Sequence, residues 1–223
     1  SENTRLVKLK SNVEMLEMKC GLTGVVIAMM VGMMALPARA DDQQDIRKMM
    51  ETAIDKTISI LANPELKGDA KREERRAQIR NTLLALTHAR RVSMLVLGRQ
   101  RSNFSEAQLK EFTDTFAQLV FVTYIQNLEK YTDQKVQIVS VELQQDGKAY
   151  AATKVVSKDQ EFPADFSLFK DEHGEWKCYD VKVEGVSMIS NYRSQFNELL
   201  INKTPDQIIA HLKEKVKENE QAH

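Results

Sequence analysis

Cysteine, proline, tryptophan and glycine are all scarce in this chain of 223 residues: two Cys, four Pro, one Trp and eight Gly. Two cysteines, Cys20 and Cys178, cannot make a disulfide scaffold, and no Cys/His spacing suits a zinc site. Little Gly and Pro excludes collagen-like and low-complexity chains. The four histidines, His88, His173, His211 and His223, are scattered, and H-E-x-x-H is absent. There is no G-x-G-x-x-G, no phosphate loop and no G-x-S-x-G elbow; Ser187 sits in Gly-Val-Ser-Met instead. Charge of one sign is missing too. Lys+Arg and Asp+Glu number 32 each, which removes the basic footprint of a nucleic-acid binder.

One long apolar run is present, and it lies near the start. Lys19 is followed by the uncharged stretch Gly21 to Leu36 and then by Ala38-Arg39-Ala40. A basic n-region, an apolar run short for a membrane span and an A-x-A step form the layout of a secretory signal peptide. Residues 18–40 are therefore expected to be a cleaved leader. Residues 1–17, which do not begin with Met, are expected to be an upstream extension with no fold. Cys20 lacks lipobox neighbours, so lipidation is not expected. The expected mature domain is 41–223. It has lost five basic and three acidic side chains, so its formal charge is −2. With Cys178 alone it has no internal disulfide, and its fold must rest on its core.

The mature chain changes period once. Ile46, Met49, Met50, Ala53, Ile54, Ile58 and Leu61 recur at three and four, predicting a helix over 41–62 that Asn63-Pro64 ends. A charged segment then leads to a helix docking through Ile79, Leu83, Leu84 and Leu86. Another helix over 89–97 stops at Gly98. Ser105 and Gln108 form a capping-box signature for a long helix to about 130. Its second half, LVFVTYI, is apolar nearly all round and should be buried on more than one side. After Asp133 the period is two. Strands are predicted over 135–143, 149–157, 164–170 and 176–183, with tight turns at Asp146-Gly147 and His173-Gly174. Helices over 188–202 and 205–219 close the chain. The expected fold is α+β: one domain with a four-stranded antiparallel curved sheet packed against N-terminal and C-terminal helices.

Candidate chemistry is thin. Asp180 and Glu184 are the best acid/base candidates, with Asp180 read as sharing a strand face with Trp176 and Cys178; Cys178 itself reads as a buried, inert thiol. What the sequence holds in excess is apolar surface, in the alternating strands and in the long helix. A core accounts for much of it. The remainder suggests a sheet and helices that do not close completely and leave an apolar cavity.

Two ordered blocks carry a family resemblance. In the first, Trp176, Tyr179 and Asp180 precede Glu184-Gly185-Val186-Ser187, and Tyr192-Arg193 with Phe196 open the following helix. In the second, Leu95-Val96-Leu97-Gly98 precedes Ser105-Glu106-Ala107-Gln108 and the pair Phe112 and Phe116. Together with the export signal these resemble the MlaC family, also called toluene-tolerance or ABC-transporter auxiliary proteins. Gln100-Arg101 and Leu86-Thr87-His88 stand where members often carry aromatic or acidic residues.

The resemblance implies a periplasmic phospholipid shuttle that needs no enzyme activity and no cofactor beyond its lipid cargo. It implies partners in an outer-membrane lipoprotein–porin complex and an inner-membrane ABC transporter with an MCE-domain ring, a monomeric carrier between them, and a role in outer-membrane lipid asymmetry. Burying acyl chains at roughly 0.8 kcal/mol per methylene gives affinity without a specific polar contact. The residues expected to line such a lipid cavity are Phe116, Val120, Tyr124, Val139, Val141, Phe166, Leu168, Val181, Val183, Val186 and Met188. The competing expectations are a small periplasmic enzyme with Asp180 as a buried acid or base, a carrier for another lipid such as a hopanoid, and an adaptor with a filled core.

Overall fold

The protein is described by a computed structural model over residues 37–130, 135–157 and 160–221. The expected upstream extension and most of the expected leader lie outside these residues. Residues 37–40, the end of that leader, begin the first helix, α1 (Pro37–Ala62). Two short 3-10 turns, Pro64–Leu66 and Asp69–Lys71, lead into α2 (Arg72–Leu86). Then come α3 (Ala89–Leu97), a 3-10 turn (Gly98–Asn103) and the long α4 (Glu106–Glu129). None of the described helices is long and apolar enough to cross a membrane.

Local chemistry explains the helix ends. Ser105 Oγ accepts from the Gln108 backbone N–H at 3.2 Å, and the Ser105 N–H donates to Gln108 Oε1 at 2.9 Å, completing the capping box. Gly98, at φ +57° and ψ −126°, stops α3 in a conformation that side chains with a Cβ rarely adopt. As expected of its all-round apolarity, the second half of α4 is enclosed on two sides: Phe121 packs against two separate core clusters.

The sheet is an antiparallel meander of five strands in the order β1-β2-β3-β4-β5, not four. They are β1 (Lys135–Leu143), β2 (Lys148–Val156), β3 (Glu161–Lys170), β4 (Trp176–Val183) and the two-residue β5 (Val186–Ser187). The fifth strand arises because the chain folds straight back on itself after β4. Glu184 (φ +51°) and Gly185 (φ +81°) make a two-residue turn that pairs Val183 with Val186. Helices α5 (Met188–Asn202) and α6 (Pro205–Gln221) follow.

Two register shifts bend the strict alternation. In β1, Ile138 pairs with Thr153 and Ser140 with the adjacent Ala152, leaving Val139 as an extra, unpaired residue. In β4, Cys178 pairs with Leu168 and Asp180 with the adjacent Ser167, leaving Tyr179 as the extra. Adjacent residues of β3 point to opposite faces, so the second bulge puts Asp180 on the face opposite Cys178. This corrects the shared face expected from period two. It also brings Cys178 and Val181 to one face beside Leu168 and Phe166.

Helix α1 lies along the β1 side of the sheet. Ile46 and Met50 pack on Val141, Ala149, Ala151, Leu168 and Trp176. Gln43 and Arg47 donate to the carbonyls of Val141 and Ile138, satisfying acceptors on an edge strand. Residues 43–223 form one compact unit.

Candidate functional site

Buried apolar side chains in the described residues fall into three clusters. The first is helical: residues of α3, α4, α5 and α6, among them Val96, Phe112, Phe116, Tyr192, Phe196 and Leu212. The second is the layer between α1 and the sheet. The third joins Ile60, Leu66, Ile79 and Ile125. Where the three meet, packing is incomplete and a cavity of about 210 Å³ remains.

Each wall of the cavity has its own origin. Helix α2 supplies Arg80, Leu83, Leu84 and Leu86. The α2–α3 junction and α3 supply Thr87, Ala89, Val92 and Ser93. Helix α4 supplies Phe116, Ala117, Val120 and Phe121. The sheet contributes Phe166, Cys178 and Val181, and Met188 opens α5. Val92 and Phe116 are members of the helical cluster, Phe166 packs on the sheet cluster, and Leu83 on the third. The open side is at α2, where Leu84 is 41% exposed. A larger groove of about 630 Å³ lies between the end of α1 and α4, but Lys67, Arg75 and Glu129 line it beside Ile58 and Leu61. Its charged wall is a poor surface for hydrocarbon, so the smaller, almost wholly apolar cavity is the candidate site.

The structure sorts the residues expected to line a lipid cavity into three groups. Phe116, Val120, Phe166, Val181 and Met188 border the cavity. Val141 and Leu168 lie under α1, filling the sheet cluster. Tyr124, Val139, Val183 and Val186 are exposed and do not border it. For these four the placement has a physical cause. Val139 is the bulge residue and turns outward. Tyr124 lies one turn beyond Val120 on the same side of α4, past the end of the cavity, where it is 40% exposed and its hydroxyl reaches Tyr192. Val183 and Val186 flank the tight turn that projects from the sheet. The cavity residues of α2 and α3 were read from periodicity as docking positions or helix faces, not as walls. Periodicity reports which face is buried, not what it is buried against.

The polar groups nearby are mostly occupied. Asp180, 8% exposed, accepts from Ser187 Oγ at 2.6 Å and from the Ile189 backbone N–H at 3.1 Å. It clamps the start of α5 to β4, and both its oxygens are engaged. Burial pushes the Cys178 thiol up to about 12, so it stays protonated. Glu129 ties α4 to the start of α2: Arg75 reaches one of its oxygens at 2.7 Å and Arg76 the other at 2.8 Å. Burial alone would raise that carboxyl, but the hydrogen bonds from Arg76 and Arg75 outweigh it and hold Glu129 below the ordinary carboxylate range. Among the described residues no group of His, Cys, Asp or Glu could hold a metal ion.

The two sequence blocks noted above touch in space. Arg193 lies over Gly98, where an added Cβ would meet its Nη2 at 3.6 Å. Tyr192 packs edge-on against Phe116 at 5.0 Å, and Phe196 at 6.0 Å.

The sequence profile of the family described as MlaC protein matches residues 51–214, from within α1 to within α6. The chain is similar to the intermembrane phospholipid transport system binding protein MlaC of Haemophilus influenzae. The two are 28% identical over 171 residues, which covers 74% of this chain and 79% of that protein. Its fold is similar to that of the phospholipid-binding protein from Ralstonia solanacearum, solved in complex with a phospholipid. That likeness has a TM-score of 0.69 at 20% identity and covers 78% of this chain and 98% of the other. The helical and sheet blocks that meet over Gly98 and Phe116 both fall inside the matched span, and the chain belongs to the MlaC family.

Proposed function

We propose that this protein binds a phospholipid with its acyl chains in the cavity between α2, α3, α4 and the sheet, and carries it through the periplasm between membranes. The observation that carries the reading is the cavity's position. It lies at the junction of three core clusters, walled by apolar side chains and open at α2. At about 210 Å³ it is smaller than the roughly 300–1,000 Å³ of ordinary ligand pockets. Two full acyl chains therefore require its walls to part. Family membership and the named relatives support phospholipid as the cargo. The expected leader supports export, residues 41–223 being the working domain. The partners in this reading are an outer-membrane lipoprotein–porin complex and an inner-membrane MCE-type ABC transporter, and the cellular role is outer-membrane lipid asymmetry.

The test is native mass spectrometry of protein purified from the periplasm without detergent, with solvent extraction of the same sample. A bound mass matching a diacyl phospholipid is expected. Ala117→Leu, which adds bulk inside the cavity, should cut that occupancy at least tenfold while leaving the protein folded. Protein that stays empty after incubation with phospholipid vesicles would overturn the proposal. A hopanoid in the extract would redirect it to another lipid.

A further inference from the structure

We infer that the Ser93 hydroxyl donates a hydrogen bond to an ester carbonyl of the bound lipid, so that the cavity recognises the acyl linkage as well as the hydrocarbon. This rests on the carrier reading above. Ser93 lies on α3 at 1% exposure and borders the cavity. Its Oγ is buried with no hydrogen-bond partner.

Two comparisons within the molecule make that vacancy informative. The other polar side chains around the cavity are all engaged. Arg80 donates to Gln118, the Thr87 hydroxyl to the Leu83 carbonyl, and the Cys178 thiol to the Asp180 carbonyl. Hydroxyls elsewhere on these helices make the usual bond to the carbonyl four residues earlier: Thr82 to Gln78, Thr113 to Leu109, Thr123 to Leu119 and Ser194 to Ser190. Ser93 does not. A buried hydroxyl without a partner is costly, and an apolar residue at this position would avoid the cost.

The missing partner has a definable chemistry. An acceptor satisfies the O–H, and it must be uncharged there, because the charged wall residue, Arg80, is exposed on α2 at the open side and the walls beside Ser93 are apolar. A phosphate or carboxylate is excluded on that ground and belongs at the open side. The uncharged acceptor attached directly to acyl chains is the ester carbonyl.

The experiment loads the full chain, in competition, from vesicles containing a diester phospholipid and its diether analogue. The two share head group and chain length, and the diether lacks only the carbonyls. Occupancy is read by native mass spectrometry. Wild type should prefer the diester by about fivefold, the factor expected of one neutral hydrogen bond. Ser93→Ala should bring the ratio close to one. The same variant, when empty, should melt at the same temperature or about 2–4 °C higher, because an unpaired buried hydroxyl has been removed. Ser93→Cys, a weaker donor of similar shape, should give an intermediate ratio. A wild-type ratio of one overturns the inference without touching the carrier reading. So does a ratio unchanged in Ser93→Ala, or a variant that is merely less stable. If neither lipid loads, the carrier reading falls and this inference with it.

Discussion

Phe116 belongs to two regions that are built differently. On one side it sits in an aromatic core, stacked on Phe112 at 5.7 Å and met edge-on by Tyr192 and Phe196. On the other it borders the cavity, whose further walls are mostly apolar side chains from α2, α3 and the sheet. The aromatic side is filled by rings from two helices that interlock, Phe112 and Phe116 of α4 with Tyr192 and Phe196 of α5. The cavity side is unfilled because its walls come from three clusters, and no single pair of elements sets their spacing. A protein can therefore keep a rigid core and an adaptable cavity within one side chain's width, provided the cavity lies between packing units and not inside one.

Three substitutions test that contrast, in order of expected effect. Phe112→Ala removes a fully buried ring from the filled side and should cost about 3–5 kcal/mol in urea or thermal unfolding. A loss of 1 kcal/mol or less would mean that the aromatic core is no better packed than the cavity. Glu129→Gln loosens the tie between α4 and α2, one wall of the cavity, and should cost about 1.5–3 kcal/mol at neutral pH, since Arg76 and Arg75 lose a charged partner in a site mostly shielded from water, while Arg75 keeps the Leu66 carbonyl. The pH dependence has a definite sign. The Glu129 pKa is lowered in the folded state, so its contribution is complete above the ordinary value of 4.5 and is lost as pH falls through the folded value. The gap between wild type and Glu129→Gln should stay constant from pH 6 to 8 and close under acid. A gap that widened in acid would contradict the assignment. Val139→Lys alters a bulge residue that belongs to neither region and should change stability by less than about 0.5 kcal/mol. A larger loss would mean that Val139 is buried after all.

The helices were legible in the sequence to a degree that the cavity was not. Capping residues and glycine stops are local chemistry, so α3 and α5 have the expected bounds, and the Ser105–Gln108 box forms as read. The bounds of β1 and β4 were equally plain. Their bulges were not, because a register shift is decided by the neighbouring strand and leaves no mark on its own. That one effect turned Val139 outward and moved Asp180 to the other face. The fifth strand was missed because Glu184-Gly185 is not one of the usual hairpin pairs. The α2 and α3 walls were hidden for another reason: Leu83, Leu86 and Val92 carry the same apolar signature whether they touch a neighbour or border a space. Only Ser93 carried a distinguishable signal, a hydroxyl on the apolar side of α3.

The burial of Cys178 has a practical consequence. With no other thiol between residues 41 and 223, and this one both sealed from solvent and held protonated, a chain of residues 41–223 would offer maleimide chemistry almost nothing to attack. A cysteine introduced at an exposed position such as Val139 or Ile201 would take a dye or spin label alone, without first removing a native residue. Pairs of such labels across the α2 wall would let the width of the cavity be followed as phospholipid vesicles are added.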